Sequence, residues 1–132
     1  MSITMAEAQK IVDAGVAKSR ELGYNVTIAV VDAAGEIAAI GRMDGSGAFN
    51  FDLSYGLAFT AAKFGQTGEQ LSRFADRNWF RALSVMREGR VMVAKGALPI
   101  RRGDQLIGGV GVSGAPVEAD FEIAEAGIAA LS

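Results

Sequence analysis

The apolar positions of the chain follow two periodicities, one typical of helices and one typical of strands. Residues 5–22 carry apolar side chains at helical spacing. Thr4 and Glu7 fit a capping box at the start of this stretch, and Gly23 fits a C-terminal stop. The pattern therefore predicts a first helix from about residue 5 to residue 22.

A hairpin is predicted next. The run VTIAVVD, residues 26–32, is apolar on both alternating faces, which indicates a strand covered on both sides or covered on one side by another subunit. The short turn AAGE follows, and IAAIGRM, residues 37–43, then reads as a second strand.

The middle of the chain is predicted to be helical. Residues 53–64 place apolar side chains on one helix face, and Gly65 ends that helix. Residues 67–89 read as one or two shorter helices. RVMVA, residues 90–94, is then predicted to be a strand.

The last third begins with KGALPI, where Pro99 indicates a bend or a sheet edge because proline cannot donate to a ladder. Residues 101–104 are predicted to turn, QLIGGVGVSG to form a glycine-rich strand, and Pro116 to start a final helix. Hairpins separated by helices predict one α+β domain over residues 1–132, with helices packed on an antiparallel sheet.

Composition narrows the function. Half of the residues are hydrophobic and the net charge is -2, which favours neither nucleic acid nor an anionic membrane as a partner. No apolar run reaches the roughly 18 residues of a membrane span, and the N-terminus MSITMAEAQK does not resemble a signal peptide, so we expect a cytoplasmic protein. The two-sided apolar strand and the low charge also suggest a homo-oligomer.

The chain contains no cysteine and no histidine. Disulfides, thiol nucleophiles, Ser-His-Asp triads and thiolate zinc sites are thereby excluded, and no metal site is predicted. Acid–base chemistry would depend on Asp, Glu, Lys or Tyr side chains with a shifted pKa, or on a cofactor.

Arg42 and Asp44, in the loop GRMDGSG, are the first candidates for a site. Arg42 could bind an anion in bidentate fashion while Asp44 orients it or acts as a base. Alternatively, Asp44 caps the following turn and Arg42 pairs with a carboxylate. In the glycine-rich strand, Ser113 could donate to a ligand that lies over bare backbone, or the glycines could serve tight packing.

Two further groups are candidates. Gly96 and Arg101 flank Pro99, and Arg101 either faces a pocket for an acidic substrate or is simply solvated. Lys63 and Tyr55 lie two turns apart on the central helix. A buried Lys63 could act as a base or form an imine, whereas an exposed lysine would only border the apolar stripe.

Three segments resemble the GlcG/HbpS family, which includes the C-terminal domain of PduO: TIAVVDAAGEIAAIGRMDG, AFTAAKFG and KGALPIRRGDQLIGGVGVSG. The likeness covers nearly the whole chain in the family's order. It implies a profilin-like three-layer sandwich, an oligomer and a small-molecule role, with haem as a ligand of some members.

This chain departs from the family pattern at three points. Leu57 replaces the family's helix lysine, and Ala97 replaces a glycine. Haem could be held only without histidine, by a Tyr, Met or Lys axial ligand, with Tyr24, Tyr55, Lys63 and Lys95 as formal candidates.

Two functions follow from these observations. The first is a small-molecule binding protein, with a tetrapyrrole as one candidate ligand, whose pocket lies near the Arg42 loop. The alternative is a cofactor-free isomerase, lyase or hydrolase that acts on a carboxylated catabolic intermediate. In the enzyme, Arg42 would anchor the substrate, and Asp44 or Lys63 would move protons.

Overall fold

The computed structural model describes residues 1–132 and contains a four-stranded antiparallel sheet in the order β2-β1-β4-β3. The strands are β1 (Thr27–Asp32), β2 (Ile37–Arg42), β3 (Ala97–Arg102) and β4 (Gln105–Ser113). The helices are α1 (Met5–Leu22), α2 (Asn50–Phe64), α3 (Gly68–Leu71), α4 (Asn78–Met86) and α5 (Val117–Ala129). The predicted α+β sandwich is confirmed, since α1 and α5 cover one face of the sheet and α2 covers the other.

The ends of α1 are set by the residues that the sequence indicated. The Thr4 hydroxyl accepts a hydrogen bond from the Glu7 amide, and the Glu7 carboxylate accepts one from the Thr4 amide, which completes the capping box. At the other end, Gly23 adopts a left-handed conformation, with φ of 86°, and its N–H donates to the last carbonyls of the helix.

Strand β1 is buried on both faces within the single chain. Ile28 and Val30 belong to the main core beneath α1 and α5, whereas Ala29 and Val31 pack against Ala58 of α2. The two-sided apolar pattern is therefore explained by helices of the same chain on each side of the sheet.

The glycines of β4 allow α2 to lie directly on the sheet. A Cβ atom at Gly109 would overlap the carbonyl oxygen of Ala58, and one at Gly111 would overlap that of Ser54. Tight packing against a helix thus accounts for these two glycines, because no larger side chain fits between the strand and α2.

The strand predicted at residues 90–94 is wrong. That segment is irregular and runs along α2, where the Met92 amide donates to the Thr60 hydroxyl at 2.8 Å. Val91 is buried against Phe59 and Phe80, so the apolar spacing reflects packing on helices rather than pairing in a sheet.

The strand that precedes β4 is β3, and Arg101 belongs to it rather than to the predicted turn. Strand β3 lies at the edge of the sheet and pairs only with β4. An edge strand leaves one side without ladder bonds, and it can therefore contain Pro99. The edge alternative for KGALPI is confirmed.

Residues 67–89 form α3, a short 3₁₀ helix and α4. Phe80 of α4 is buried, while Trp79, Val85 and Met86 are exposed. None of the helices has both the length and the hydropathy needed to traverse a bilayer.

Candidate functional site

A surface cavity of about 260 Å³, open to solvent, lies between α2 and α4, and we call it the α2–α4 cavity. Its lining consists of Phe59, Thr60, Lys63, Phe64, Leu83, Arg87 and Val91. Helix α2 supplies four of these residues because the spacing from Phe59 to Lys63 is about one helical turn. The remaining three come from α4 and the segment after it, which α4 holds against α2 through buried Phe80.

Three cations converge on the ring of Phe59. The Nζ atom of Lys63 lies 5.6 Å from the ring centroid, and the Cζ atoms of Arg87 and Arg90 lie 5.1 and 5.5 Å from it. The Arg90 guanidinium also stacks over Tyr55, at 4.7 Å from that ring centroid. The aromatic faces attract the cations, which places positive charge beside an apolar wall.

These cations have no carboxylate partner. The three ion pairs of the chain join Lys18 to Glu21, Lys95 to Glu118 and Arg102 to Glu7, all outside the cavity. Residues 63–95 contain seven Lys or Arg against three Asp or Glu, although the whole chain carries a net charge of -2. Positive charge is therefore in excess in the segment that supplies Lys63, Arg87 and Arg90.

The neutral polar side chain of the cavity is already satisfied. The Thr60 hydroxyl donates to the Gly56 carbonyl at 2.8 Å and accepts from the Met92 amide at 2.8 Å. Lys63 and Arg87 consequently supply the free polar groups of the lining, and both are donors without acceptor capacity. Such a lining suits an apolar molecule that carries negative charge.

Arg42 and Asp44 lie in a second, open groove of about 380 Å³. Both side chains are exposed, and they form no ion pair with each other. Instead, Arg42 Nη2 donates to the Ser46 carbonyl at 2.7 Å and closes the loop after β2. Arg20 and Asn25 line the same groove together with Val16 and Met43, so its surface is both polar and apolar.

Ser113 belongs to a polar network that joins β1, α2, β4 and the loop after β2. Its hydroxyl donates to Asn50 Oδ1 at 3.0 Å, and Asn50 Nδ2 donates to the Ser46 hydroxyl at 3.1 Å. Ser46 in turn shares a hydrogen bond of 2.9 Å with the Thr27 hydroxyl. The other three members, Thr27, Ser46 and Asn50, were not predicted as site residues. Only Thr27 gave a signal, as a polar residue within an apolar run.

Gly96 and Arg101 have structural partners. A Cβ atom at buried Gly96 would overlap the Val112 carbonyl oxygen. The Val112 N–H donates to the Gly96 carbonyl at 3.0 Å. Arg101 is exposed, and its Nη2 donates to the Gly65 carbonyl at 2.8 Å at the end of α2. In this arrangement, Arg101 joins the edge hairpin to α2.

The residues predicted for the site therefore fall into separate places. Asn50 fixes the start of α2 beside Ser46 and Ser113, at the end of the sheet that carries Arg42. Lys63 follows Asn50 by thirteen residues, which corresponds to about 20 Å along the helix. Lys63 is also exposed, so the burial required for a basic or imine-forming lysine is not provided by the single chain.

Replacing Arg42 with alanine is expected to lower the free energy of unfolding by about 1 kcal/mol, because the bond to the Ser46 carbonyl is lost. Arg20→Ala is the matched control, since Arg20 lines the same groove without such a hydrogen bond. Urea unfolding of both variants measures the difference. Equal stability of the two variants would contradict the role of Arg42 in closing the loop.

The sequence of the chain matches one protein family and is similar to a bacterial protein of nearly the same length. The family model for HbpS-like proteins, described as haem degrading protein HbpS-like, matches residues 3–129. A 15.0 kDa protein encoded in the dhaT-dhaS intergenic region of Citrobacter freundii is 33% identical over 132 residues, which cover 99% of this chain and 93% of that protein.

Solved structures agree with this match. Klebsiella pneumoniae protein ORFY superposes with a TM-score of 0.89 at 30% identity, covering 97% of this chain and 89% of ORFY. The complex of PduOC with haem superposes with a TM-score of 0.88 at 27% identity, covering 98% of this chain and 95% of PduOC.

Proposed function

Because the chain belongs to the HbpS-like family, we propose that it is a small-molecule binding protein and that its ligand is an apolar organic anion of the tetrapyrrole kind. PduOC, which has the same fold, binds haem, and this supports a tetrapyrrole as the first ligand to test. We further propose the α2–α4 cavity as the binding site.

The observation that carries the proposal is the group of cations without carboxylate partners beside an apolar wall. The half-buried Phe64 and Leu83 offer contact to a flat apolar ring, and Lys63 and Arg87 offer charge-assisted hydrogen bonds to carboxylates. A ligand with both features would remove apolar surface from water and neutralise the concentrated positive charge.

The lining fits haem in part. The apolar side chains suit the macrocycle, and the two cations suit its carboxylates. The cavity lining contains no histidine, cysteine, tyrosine or methionine that could ligate the iron. Of the formal axial ligands, only Lys63 lines the cavity.

The enzyme alternative is not favoured. It required Arg42 to anchor a carboxylate near Asp44 or Lys63. Lys63 lies about 20 Å along α2 from Asn50, which is beside the Arg42 loop, so Lys63 is outside hydrogen-bond reach of a substrate held by Arg42. Asp44 shares the groove with Arg42, but the Arg42 guanidinium already donates to the Ser46 carbonyl.

The predicted homo-oligomer remains part of the proposal. Phe49, Trp79, Val85 and Met86 are large apolar residues on the surface, with 49–78% of each exposed. Three of them belong to α4, and its outer face is therefore a candidate for contact with a second copy of the chain.

A haemin titration, monitored through the Soret band, tests the proposed site. The double variant Lys63→Gln/Arg87→Gln should bind about 10- to 100-fold more weakly than the wild type, since two charge-assisted contacts are lost. Lys10→Gln/Arg20→Gln removes the same charge from exposed positions on α1 and serves as the control. Equal affinity of the two double variants would reject the α2–α4 cavity as the site.

A further inference from the structure

We infer that the α2–α4 cavity recognises the ring and the carboxylates of its ligand and does not recognise a central iron. The inference rests on the proposed function and specifies its ligand class, namely flat apolar carboxylates that include metal-free porphyrins. A metal-free porphyrin should then bind as well as haemin does.

The chemistry of the side chains around the cavity is the first argument. Haem iron is held in proteins by imidazole, thiolate, thioether or phenolate donors. The chain has no His or Cys, and none of its Tyr or Met residues lines the cavity. The ring of Tyr55 lies beneath the Arg90 guanidinium, while Met92 packs against Leu57, Ala61 and Ala97.

The remaining formal ligands do not supply a donor at the cavity. Lys95 is held by Glu118 through a bond of 2.6 Å outside the lining. Tyr24 lies directly after α1, in the opposite layer of the sandwich. Lys63 does line the cavity, but an ammonium group has three donors and no lone pair to offer a metal.

The features that do face the cavity recognise an organic anion. Apolar side chains from α2, α4 and the following segment form the walls, and they bind an apolar ring whether or not a metal occupies its centre. Lys63 and Arg87 line the cavity and Arg90 joins them at the Phe59 ring, so carboxylates at one edge of the ligand would approach two cations, with a third outside the lining.

The chain contains its own reporter for a titration with and without iron. Trp79 is the single tryptophan, and its ring lies 5.5 Å from that of Phe80. Phe80 stacks at 5.9 Å on Phe64, which lines the cavity. Quenching of Trp79 fluorescence by a bound porphyrin therefore measures the affinity of every probe in the same way.

The experiment compares haemin, metal-free protoporphyrin IX and protoporphyrin IX dimethyl ester, which lacks free carboxylates. We expect the first two to bind within about threefold of each other and the ester to bind at least about tenfold more weakly, since its neutral oxygens lack the negative charge that pairs with the cations. Haemin binding at least about tenfold tighter than the metal-free porphyrin would overturn the inference while leaving the proposed function intact.

Lys63→Arg separates charge from metal ligation, because arginine keeps the cation and cannot be deprotonated to ligate iron. We expect this variant to bind haemin and protoporphyrin IX as the wild type does. A selective loss of haemin binding would identify Lys63 as an iron ligand and refute the inference. If none of the three probes quenches Trp79, both the proposed function and this inference fail. An ester that binds as tightly as the free acid would refute recognition of the carboxylates.

Discussion

Replacing Gly111 with alanine is expected to lower the free energy of unfolding by about 3 kcal/mol or more, or to prevent folding altogether. The new Cβ atom would overlap the Ser54 carbonyl oxygen, and it would lie 2.6 Å from the Ala58 nitrogen and 2.8 Å from the Leu57 Cβ. Two of these neighbours are backbone atoms of α2, which cannot rotate away as a side chain can. The helix would have to move away from the sheet as a whole.

Gly47→Ala provides the control for this prediction. A Cβ atom at Gly47 would meet only the Asn50 side-chain amide, at 3.4 Å, which is close to an ordinary van der Waals distance. Urea unfolding followed by far-UV circular dichroism should show a small change for Gly47→Ala and a large one for Gly111→Ala. A Gly111→Ala protein within about 1 kcal/mol of the wild type would contradict the direct contact between α2 and β4.

The local signals in the sequence were sufficient for the elements with distinct ends. Thr4, Glu7 and Gly23 define α1 because capping depends on residues adjacent in the chain. The hairpin of β1 and β2 and the glycine-rich strand β4 could be predicted for the same reason. The structure also gives the three-layer arrangement that these elements imply.

Residues 90–94 were mispredicted because the period of apolar residues does not reveal what they pack against. Val91 packs against Phe59 and Phe80, and the Met92 amide donates to the Thr60 hydroxyl. The segment therefore packs on helices α2 and α4 and does not pair with a strand. The true β3 contains Pro99, which weakened the signal for a strand there.

The cation group at the α2–α4 cavity could not be predicted from spacing. Lys63 precedes Arg87 by 24 positions in the chain, and a tertiary contact between α2 and the end of α4 brings them together. Lys63 is a candidate base from its place on the central helix, but its neighbours Arg87 and Arg90 belong to no local motif. Side chains that meet only through packing leave no periodic pattern.

A buried carboxylate at the start of α5 makes stability depend on pH. Asp120 is 7% exposed, and its Oδ1 atom accepts one hydrogen bond, from the Ala115 amide at 3.1 Å. Burial disfavours the charged form and raises the pKa of Asp120 from 3.8 to about 7, although the hydrogen bond acts in the opposite direction. The charge is therefore costly in the folded state at neutral pH.

The sign of the effect follows from the raised pKa. Below pH 3.8, Asp120 is protonated in both the folded and the unfolded chain, and the full stability is present. As the pH rises towards about 7, the unfolded chain has lost the proton that the folded chain retains, so the free energy of unfolding falls. The shift corresponds to about 4 kcal/mol as an upper bound, and partial access of water leads us to expect about 2 kcal/mol.

Glu7 acts in the opposite direction and in a different pH range. Hydrogen bonds from Arg102 and from the Thr4 amide lower the pKa of Glu7 from 4.5 to about 2. Its contribution to stability is therefore present above pH 4.5 and is lost as the pH falls towards 2. Because the chain has no histidine, the loss of stability between about pH 5 and pH 8 should report chiefly on Asp120.

Asp120→Asn is therefore expected to be more stable than the wild type at pH 8, by about 2 kcal/mol, and nearly equal to it at pH 4. The amide oxygen can still accept from the Ala115 N–H, while the buried charge is removed. Glu122→Gln is the matched control, since this residue is exposed on the same helix and should show no such pH dependence. Urea unfolding of the wild type and both variants between pH 4 and pH 8 measures the difference in the free energy of unfolding. An Asp120→Asn protein that loses stability at pH 8 would show that the carboxylate at the start of α5 stabilises the helix more than its burial costs.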